Sequence, residues 1–455
     1  MFARTAVLSL ALSCLYGNVA VLGLDINSRD SIVDTAKTLA SGIVKYYNAS
    51  VSESGIPGVF SEEYYWWEAG IVLDGLIGYS SLTGDKQYDG LVWEGIQWQR
   101  GNDFAFMALN QTATMTNDDQ CAWAQAAMSA TEFGFPNPVN GSWVDAAISV
   151  FDVMTMRWNN SLCDGGLSMA IYSFNVGSSY KQMASNGNFF LLASRLARFT
   201  GNGTYTEWAE KIFDWAHERG FITDDYDIYD GADGEENCTS FNQVQFTYNH
   251  GLFTEGAAVL YNITDGKQKW ADAVKGFVNS TSRFLENGVL VESACENDGK
   301  CGVDHRAFKG VAARSYARAV VAAPTVTGPL ALMLKKSAEG AAKSCSKGQG
   351  ENGETGDVAC SLSWVDPESR WEHNTASGGN LGEVFSAMEV VQGLLYSQTK
   401  IQGSNATGSP VENGEGSKPS DGAGPEGTDA TGTAGTMTAS ITVVLAAAFA
   451  AALLC

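Results

Sequence analysis

The chain has 455 residues, 45% of them hydrophobic, enough for a large buried core. Its formal net charge is -23 at pH 7, from 28 Lys and Arg against 51 Asp and Glu. That balance excludes a nucleic-acid partner, whose phosphates select Lys and Arg.

Taken in chain order, the sequence opens on an address. Arg4, an apolar run from Ala6 to Leu15, and small residues at Asn18-Val19-Ala20 and Val21-Leu22-Gly23 read as a secretory signal peptide over 1–23. Residues 24–400 read as one globular unit with a helical apolar period. Periodicity and cap signals predict twelve helices, near Ser31 to Tyr47, Glu62 to Ser80, Lys86 to Leu109, Asn117 to Glu132, Trp143 to Met156 and Lys181 to Phe199, then Thr204 to His217, Phe246 to Leu260, Lys267 to Leu285, Arg306 to Ala322, Gly328 to Lys343 and Gly378 to Gln398. Residues 401–432 form a Gly/Ser/Thr/Pro-rich stalk too poor in apolar residues to bury a core. Residues 433–455 end in an uncharged apolar run with nothing polar behind it, which reads as a GPI-attachment signal that is removed.

Secretion is written elsewhere in the chain as well. Glycosylation sequons occur at Asn48, Asn110, Asn140, Asn159, Asn202, Asn237, Asn262, Asn279 and Asn405. Once Cys14 and Cys455 leave with the ends, seven cysteines remain, an odd number for an oxidising compartment. Cys295 with Cys301 and Cys345 with Cys360 close small loops, Cys163 with Cys238 forms a longer staple, and Cys121 is left as a buried thiol. His217, His250, His305 and His373 are scattered and no Cys-x-x-Cys occurs, so neither a metal nor another cofactor is expected.

Three segments repeat one pattern, an apolar helix opening on Gly70, Gly187 or Gly251 and closing on Thr83-Gly84, Thr200-Gly201 or Thr264-Asp265. An aromatic, Tyr88, Tyr205 or Trp270, opens the helix that follows. Related segments recur every 50 to 70 residues or so, roughly one helical hairpin each. Six such hairpins predict an all-α toroid, an (α/α)6 barrel. Its inner helices run the same way, so their N-terminal ends gather around one mouth. That places Glu62 to Trp67, Asn117 to Gln120, Tyr180-Lys181 with Ser185-Asn186-Gly187, Phe246 to Gly251, His305-Arg306 with Phe308-Lys309-Gly310, and Ser377 to Glu383 at the candidate site. Aromatics with Asn, Asp, Lys and Arg suit a sugar cleft, where ring faces stack and planar polar groups bond hydroxyls.

Asp118 and Asp119 are the sharpest feature at that mouth. Neighbouring helical side chains project about 100° apart, so two adjacent carboxylates can flank one small site. Double-displacement glycoside hydrolysis needs a carboxyl pair about 5 to 5.5 Å apart. The competing reading is an ordinary helix N-cap complementing the macrodipole.

Seven landmarks occur in order: Asn117-Asp118-Asp119-Gln120, Cys163 to Leu167, Tyr180-Lys181 with Ser185-Asn186-Gly187, Tyr229-Asp230-Gly231, Thr247 to Gly251, Phe308-Lys309-Gly310, and Gly382-Glu383 with Met388 to Gln392. In these the chain resembles the α-1,6-mannanase family of (α/α)6-barrel glycosidases, glycoside hydrolase family 76. Within it the likeness is to fungal GPI-anchored members implicated in attaching GPI mannoproteins to the cell wall. The resemblance implies a retaining, endo-acting mannan endo-1,6-alpha-mannosidase or transglycosidase, with Asp118 as nucleophile and Asp119 as general acid/base. It also implies that Gln120, Trp123, Lys181, Asn186, Asp230, Tyr248, Asn249 and Lys309 bind substrate. The implied donor is α-mannan or a GPI core glycan, with β-glucan as an acceptor. The implied location is the outer face of the plasma membrane, held by a GPI anchor, and the cell wall. One departure stands out: Ser168-Met169 replaces the family's Arg-Trp after Gly165-Gly166-Leu167. It keeps open a second reading, a glycan-binding surface protein without turnover.

Overall fold

The computed structural model of the chain describes residues 20–349, 355–366 and 381–398. Most of the signal peptide, the start of the twelfth predicted helix, the stalk, the anchor signal and Asn405 lie outside the described residues.

Twelve α-helices occupy the described residues: α1 (Arg29–Ser54), α2 (Trp66–Thr83), α3 (Asp89–Gln99), α4 (Asn117–Glu132), α5 (Trp143–Arg157), α6 (Met183–Thr200), α7 (Gly203–Glu218), α8 (Thr247–Ile263), α9 (Gln268–Ser280), α10 (His305–Ala322), α11 (Gly328–Ser344) and α12 (Leu381–Gly393). Eight short strands accompany them: β1 (Ala20–Val21), β2 (Tyr180–Gln182), β3 (Gly231–Asp233), β4 (Phe241–Asn242), β5 (Leu285–Glu286), β6 (Val289–Leu290), β7 (Cys345–Gln349) and β8 (Thr355–Cys360).

The even-numbered helices form a closed inner ring in which α2 touches α4, α4 touches α6, and so on until α12 returns to α2. Each inner helix from α2 to α10 turns back into the outer helix that follows it, while α1 covers α12 and closes the outer layer with the start of the unit. Sequence chemistry explains the division. Inner helices such as α2 and α8 are buried over almost their whole length, whereas α7 and α9 bury one stripe and leave the other face in water. The repeat glycines allow the inner helices to approach closely. A side chain at Gly251 would meet the Ala312 backbone at 2.8 Å, and one at Gly310 would meet that of Ser386 at 2.7 Å. The turns work as read: Gly84 and Gly201 end α2 and α6 in the left-handed conformation.

The barrel axis is filled by charge at the end away from the mouth. Glu132 of α4 bonds Arg195 at 2.9 Å and Arg198 at 2.7 Å, both on α6. Arg314 of α10 pairs with Asp74 of α2 and Glu389 of α12 at 3.3 and 3.1 Å, and Arg318 faces Asp74 and Glu255 at 3.7 and 3.6 Å. Four arginines therefore meet four carboxylates, and mutual neutralisation is what makes such burial tolerable.

The expected disulfides form: Cys163–Cys238, Cys295–Cys301 and Cys345–Cys360, with Cys121 a buried free thiol. Several helix boundaries differ from expectation; α1 runs on to Ser54, α2 starts only at Trp66 and α9 stops at Ser280. The third helix stops at Gln99 rather than near Leu109, because Gly101, Phe104 and Phe106 all take positive φ and turn the chain into a loop. Lys181 starts no helix; it lies in β2, and α6 begins two residues later. Seven of the eight described sequon asparagines are exposed and Asn159 is half-buried, so glycans at the seven would need no unpacking.

Candidate active site

The N-terminal ends of five inner helices surround one pocket of about 220 Å³. Its lining comprises Trp67 of α2, Asp118 of α4, Gln182 and Ala184 at the start of α6, Asp230, Phe246, Tyr248 and Asn249 at the start of α8, and Asp304, His305 and Phe308 at the start of α10.

Thr116 caps α4, accepting from the Asp119 N–H, while Asp119 Oδ2 accepts from the Thr116 N–H at 2.8 Å. This reciprocal cap fixes the second carboxyl of the pair. The first, Asp118, accepts a hydrogen bond from Ser185 Oγ at 2.9 Å. So the capping reading and the site reading coexist: Asp119 caps the helix, and the cap holds it beside Asp118. Burial raises the Asp118 pKa, opposed by the Ser185 bond and reinforced by the charge of Asp230. Burial also lifts Asp119, and the neighbouring Asp118 charge adds to it, taking that carboxyl up to about 7. A carboxylic acid still protonated near neutrality stands beside a second carboxylate, as acid-assisted displacement requires.

Asp230 faces the pair from a loop that enters β3. Tyr180 Oη donates to its Oδ2 at 2.7 Å and Asn242 Nδ2 to the same oxygen at 3.0 Å. Burial raises its pKa, against these two bonds and the pull of His305. Rings form the remaining walls. Tyr248 meets Trp67 edge-on at 5.7 Å and Phe308 at 5.2 Å, and Phe246 stacks on His305 at 5.4 Å and 13°. Asn249 is buried, and its Nδ2 has no hydrogen-bond partner among the described residues. An unpaired buried donor in a pocket wall is a group prepared for a ligand acceptor.

Of the residues predicted to bind substrate, Asp230, Tyr248 and Asn249 line the pocket with Asp118. The other five stand behind the lining. Gln120 is buried, donating to Ala105 O and accepting from Arg157. Trp123 is enclosed between Trp66 and Phe106. Lys181 Nζ donates to Gly166 O at 2.6 Å, and Asn186 bonds both the N–H and the C=O of Leu167, so these two hold the glycine loop. Lys309 is paired with Glu296 at 2.8 Å and lies over the Trp364 ring. Trp67, Phe246, His305 and Phe308 come from segments the toroid reading assigned to the mouth, whereas Gln182, Ala184 and Asp304 had no signal of their own. Arg157 was also missed; it bonds Asn117 Oδ1 at 2.9 Å and Gln120 Oε1 at 2.7 Å from behind the Asp pair.

A helical toroid with paired carboxyls and stacked rings at one mouth defines a glycosidase of the two-carboxylate class. Comparison with known proteins agrees. The model of glycosyl hydrolase family 76 matches residues 31–405. Mannan endo-1,6-alpha-mannosidase DCW1 of Eremothecium gossypii is 35% identical over 421 residues, 90% of either chain. Mannan endo-1,6-alpha-mannosidase DFG5 of Saccharomyces cerevisiae is 36% identical over 82% of this chain and 80% of its own. The crystal structure of Dfg5 from Chaetomium thermophilum in complex with glucosamine superposes with a TM-score of 0.75 at 35% identity, covering 84% of this chain and 94% of that one. The GH76A alpha-1,6-mannanase of Salegentibacter sp. HEL1_6 shares the fold, with a TM-score of 0.61 at 19% identity over 80% of this chain and 98% of that one. The chain belongs to glycosyl hydrolase family 76, and its fold is the (α/α)6 barrel.

Proposed function

We propose that the protein is a retaining, endo-acting glycosidase or transglycosidase on α-1,6-mannosides. The observation that carries this is the carboxyl pair at the start of α4, Asp118 lining the pocket on its Ser185 bond and Asp119 held beside it by the reciprocal cap with Thr116. Asp118 attacks the anomeric carbon of a mannosyl unit as the glycosidic C–O bond breaks, and Asp119 passes its proton to the departing oxygen. Asp119 then takes a proton from the incoming hydroxyl, which attacks the same carbon and releases Asp118. Gln120, Trp123, Lys181, Asn186 and Lys309 act as positioning residues behind the lining, while Asp230, Tyr248 and Asn249 touch the sugar.

The activity for which the relatives are named supports the α-1,6-mannoside as substrate class. A GPI core glycan is the proposed donor, in keeping with the glucosamine bound in the crystal structure of the Chaetomium relative. With a β-glucan hydroxyl as acceptor, the same two steps join a GPI mannoprotein to the wall. Three disulfides and the sequons support a secreted, cell-surface site of action, and the apolar run at 441–455 supports a GPI anchor.

The test is incubation of the protein with an α-1,6-linked mannooligosaccharide and with a GPI core glycan, with and without a β-glucan acceptor, read by mass spectrometry. Products that disappear in Asp118→Ala support the reading, those heavier than the donor identifying transfer and lighter ones hydrolysis. Binding without turnover in the wild type would replace it with a glycan-binding role.

A further inference from the structure

Segment 168–180, between α5 and β2, is a loop pinned at its base to the helix that carries the carboxyl pair. The Asn117 N–H donates to Met169 O at 2.9 Å, its Nδ2 donates to Ser168 O at 2.7 Å, and Thr116 pairs with Ala170 as an antiparallel bridge. The loop closes on itself through the Ala170 N–H and Gly177 O at 3.2 Å. Gly177 has φ 88, and a side chain there would strike Met169. Farther out, Asn175 Nδ2 donates to Ala113 O at 2.8 Å. A loop tethered at so many points holds its tip in place.

That tip carries two rings. Tyr172 and Phe174 stack with centroids 5.2 Å apart and planes within 5°. Phe174 is nonetheless 77% exposed, so Tyr172 backs one face of its ring and leaves the other in water. A rigid aromatic face open to solvent matches the apolar C–H face of a pyranose.

Its place relative to the carboxyls gives it a side. Asp118 lines the pocket; Asp119 does not, and its Oδ2 faces the Thr116 N–H instead. Thr116 is in turn the residue bridged to Ala170, two residues before Tyr172. Asp119 and the loop that carries the rings are thus both bonded to Thr116. Asp119, the proposed general acid, shares Thr116 with that loop, and this assigns the rings to the leaving-group and acceptor side.

We infer that Tyr172 and Phe174 form an outer sugar-stacking platform on the leaving-group and acceptor side of the cleft, gripping a pyranose beyond the bond that is broken. This rests on the glycosidase reading of the same site. Ser168-Met169, the departure from the family pattern, then becomes part of the loop that carries the platform.

The experiment measures two quantities across a ladder of α-1,6-mannooligosaccharides from disaccharide to octasaccharide: kcat/KM in the active protein, and Kd in the Asp118→Asn background. Cleavage by the wild type tests the glycosidase reading, and binding in the Asn background tests the platform independently of turnover. Phe174→Ala is expected to lower the long-to-short ratio of kcat/KM and to raise that of Kd, each by about 3- to 10-fold, and Phe174→Trp to restore both. A ratio unchanged at every length overturns the platform. So does a loss that vanishes in Asn110→Gln, which would make the rings a seat for the glycan at that sequon. Release of Phe174→Ala from phosphatidylcholine vesicles that retain the wild type, with the ladder unaffected, would overturn it in favour of a membrane contact through Phe174, Val176 and Leu109.

Discussion

Ser185 Oγ donates to Asp118 Oδ1 at 2.9 Å, whereas Asp119 is held by its cap on Thr116, so two adjacent carboxyls stand in unequal surroundings. The bond favours the charged form of Asp118 against the burial that raises its pKa. Activity requires Asp118 ionised and Asp119 protonated, so kcat/KM should follow a bell. Its alkaline limb should fall as pH rises through about 7, where Asp119 loses its proton. Its acid limb should lie above the ordinary carboxylate range. Ser185→Ala removes the bond that lowers the Asp118 pKa, so the acid limb should move to higher pH, and pH profiles of the two proteins check this.

Asn249 separates binding from stability. Its Nδ2 has no partner among the described residues, so Asn249→Ala removes no hydrogen bond from the folded protein. Thermal unfolding should change little, while kcat/KM on an α-1,6-mannoside should fall about tenfold, the worth of one hydrogen bond to substrate. A large fall in Tm with unchanged kinetics would count against Asn249 as a sugar contact.

Glu132 makes the opposite separation. Burial alone would raise its pKa, but Arg195 and Arg198 outweigh it and hold the carboxyl at about 2. Its folded pKa lies below the unfolded value of about 4.5, so its contribution is complete above that pH and is lost as pH falls toward 2. Glu132→Gln leaves two arginines in the barrel floor without their counter-charge and should cost about 3 to 5 kcal/mol at neutral pH. Denaturant midpoints at neutral pH and near pH 3 should show the gap narrowing in acid.

The start of the mature chain is open to a direct test. Val21 pairs with Ser346, and the Leu22 N–H donates to Cys345 O at 3.1 Å with the Leu22 side chain buried. Cleavage after Ala20 keeps Val21 and Leu22 on this edge, whereas cleavage after Gly23 removes both. We propose the former, and N-terminal peptide mapping should find Val21 first.

The helices were legible because a 3.6-residue apolar period and Thr-Gly stops are local signals, and twelve helices with repeat glycines imply the toroid. The strands β2, β3 and β4 were not, because two or three residues are too few to show alternation. These strands place Asp230, so its role came from resemblance rather than from pattern. The charged floor was equally hidden: Glu132, Arg195 and Arg314 sit on helices where a charge usually signals the solvent face. At the mouth, residue type alone did not separate lining from support. Lys181 and Asn249 both fall at the ends of inner helices, yet one turns inward to hold a glycine loop and the other faces the pocket.

The central claim is that Asp118 forms a covalent mannosyl intermediate. Proton NMR of the anomer first released from an α-1,6-mannooligosaccharide, recorded before mutarotation, tests it most directly. Two displacements at the same carbon predict the α-anomer, with no product from Asp118→Ala. Release of the β-anomer would mean a single displacement by water and would contradict the assignment of Asp118 as nucleophile.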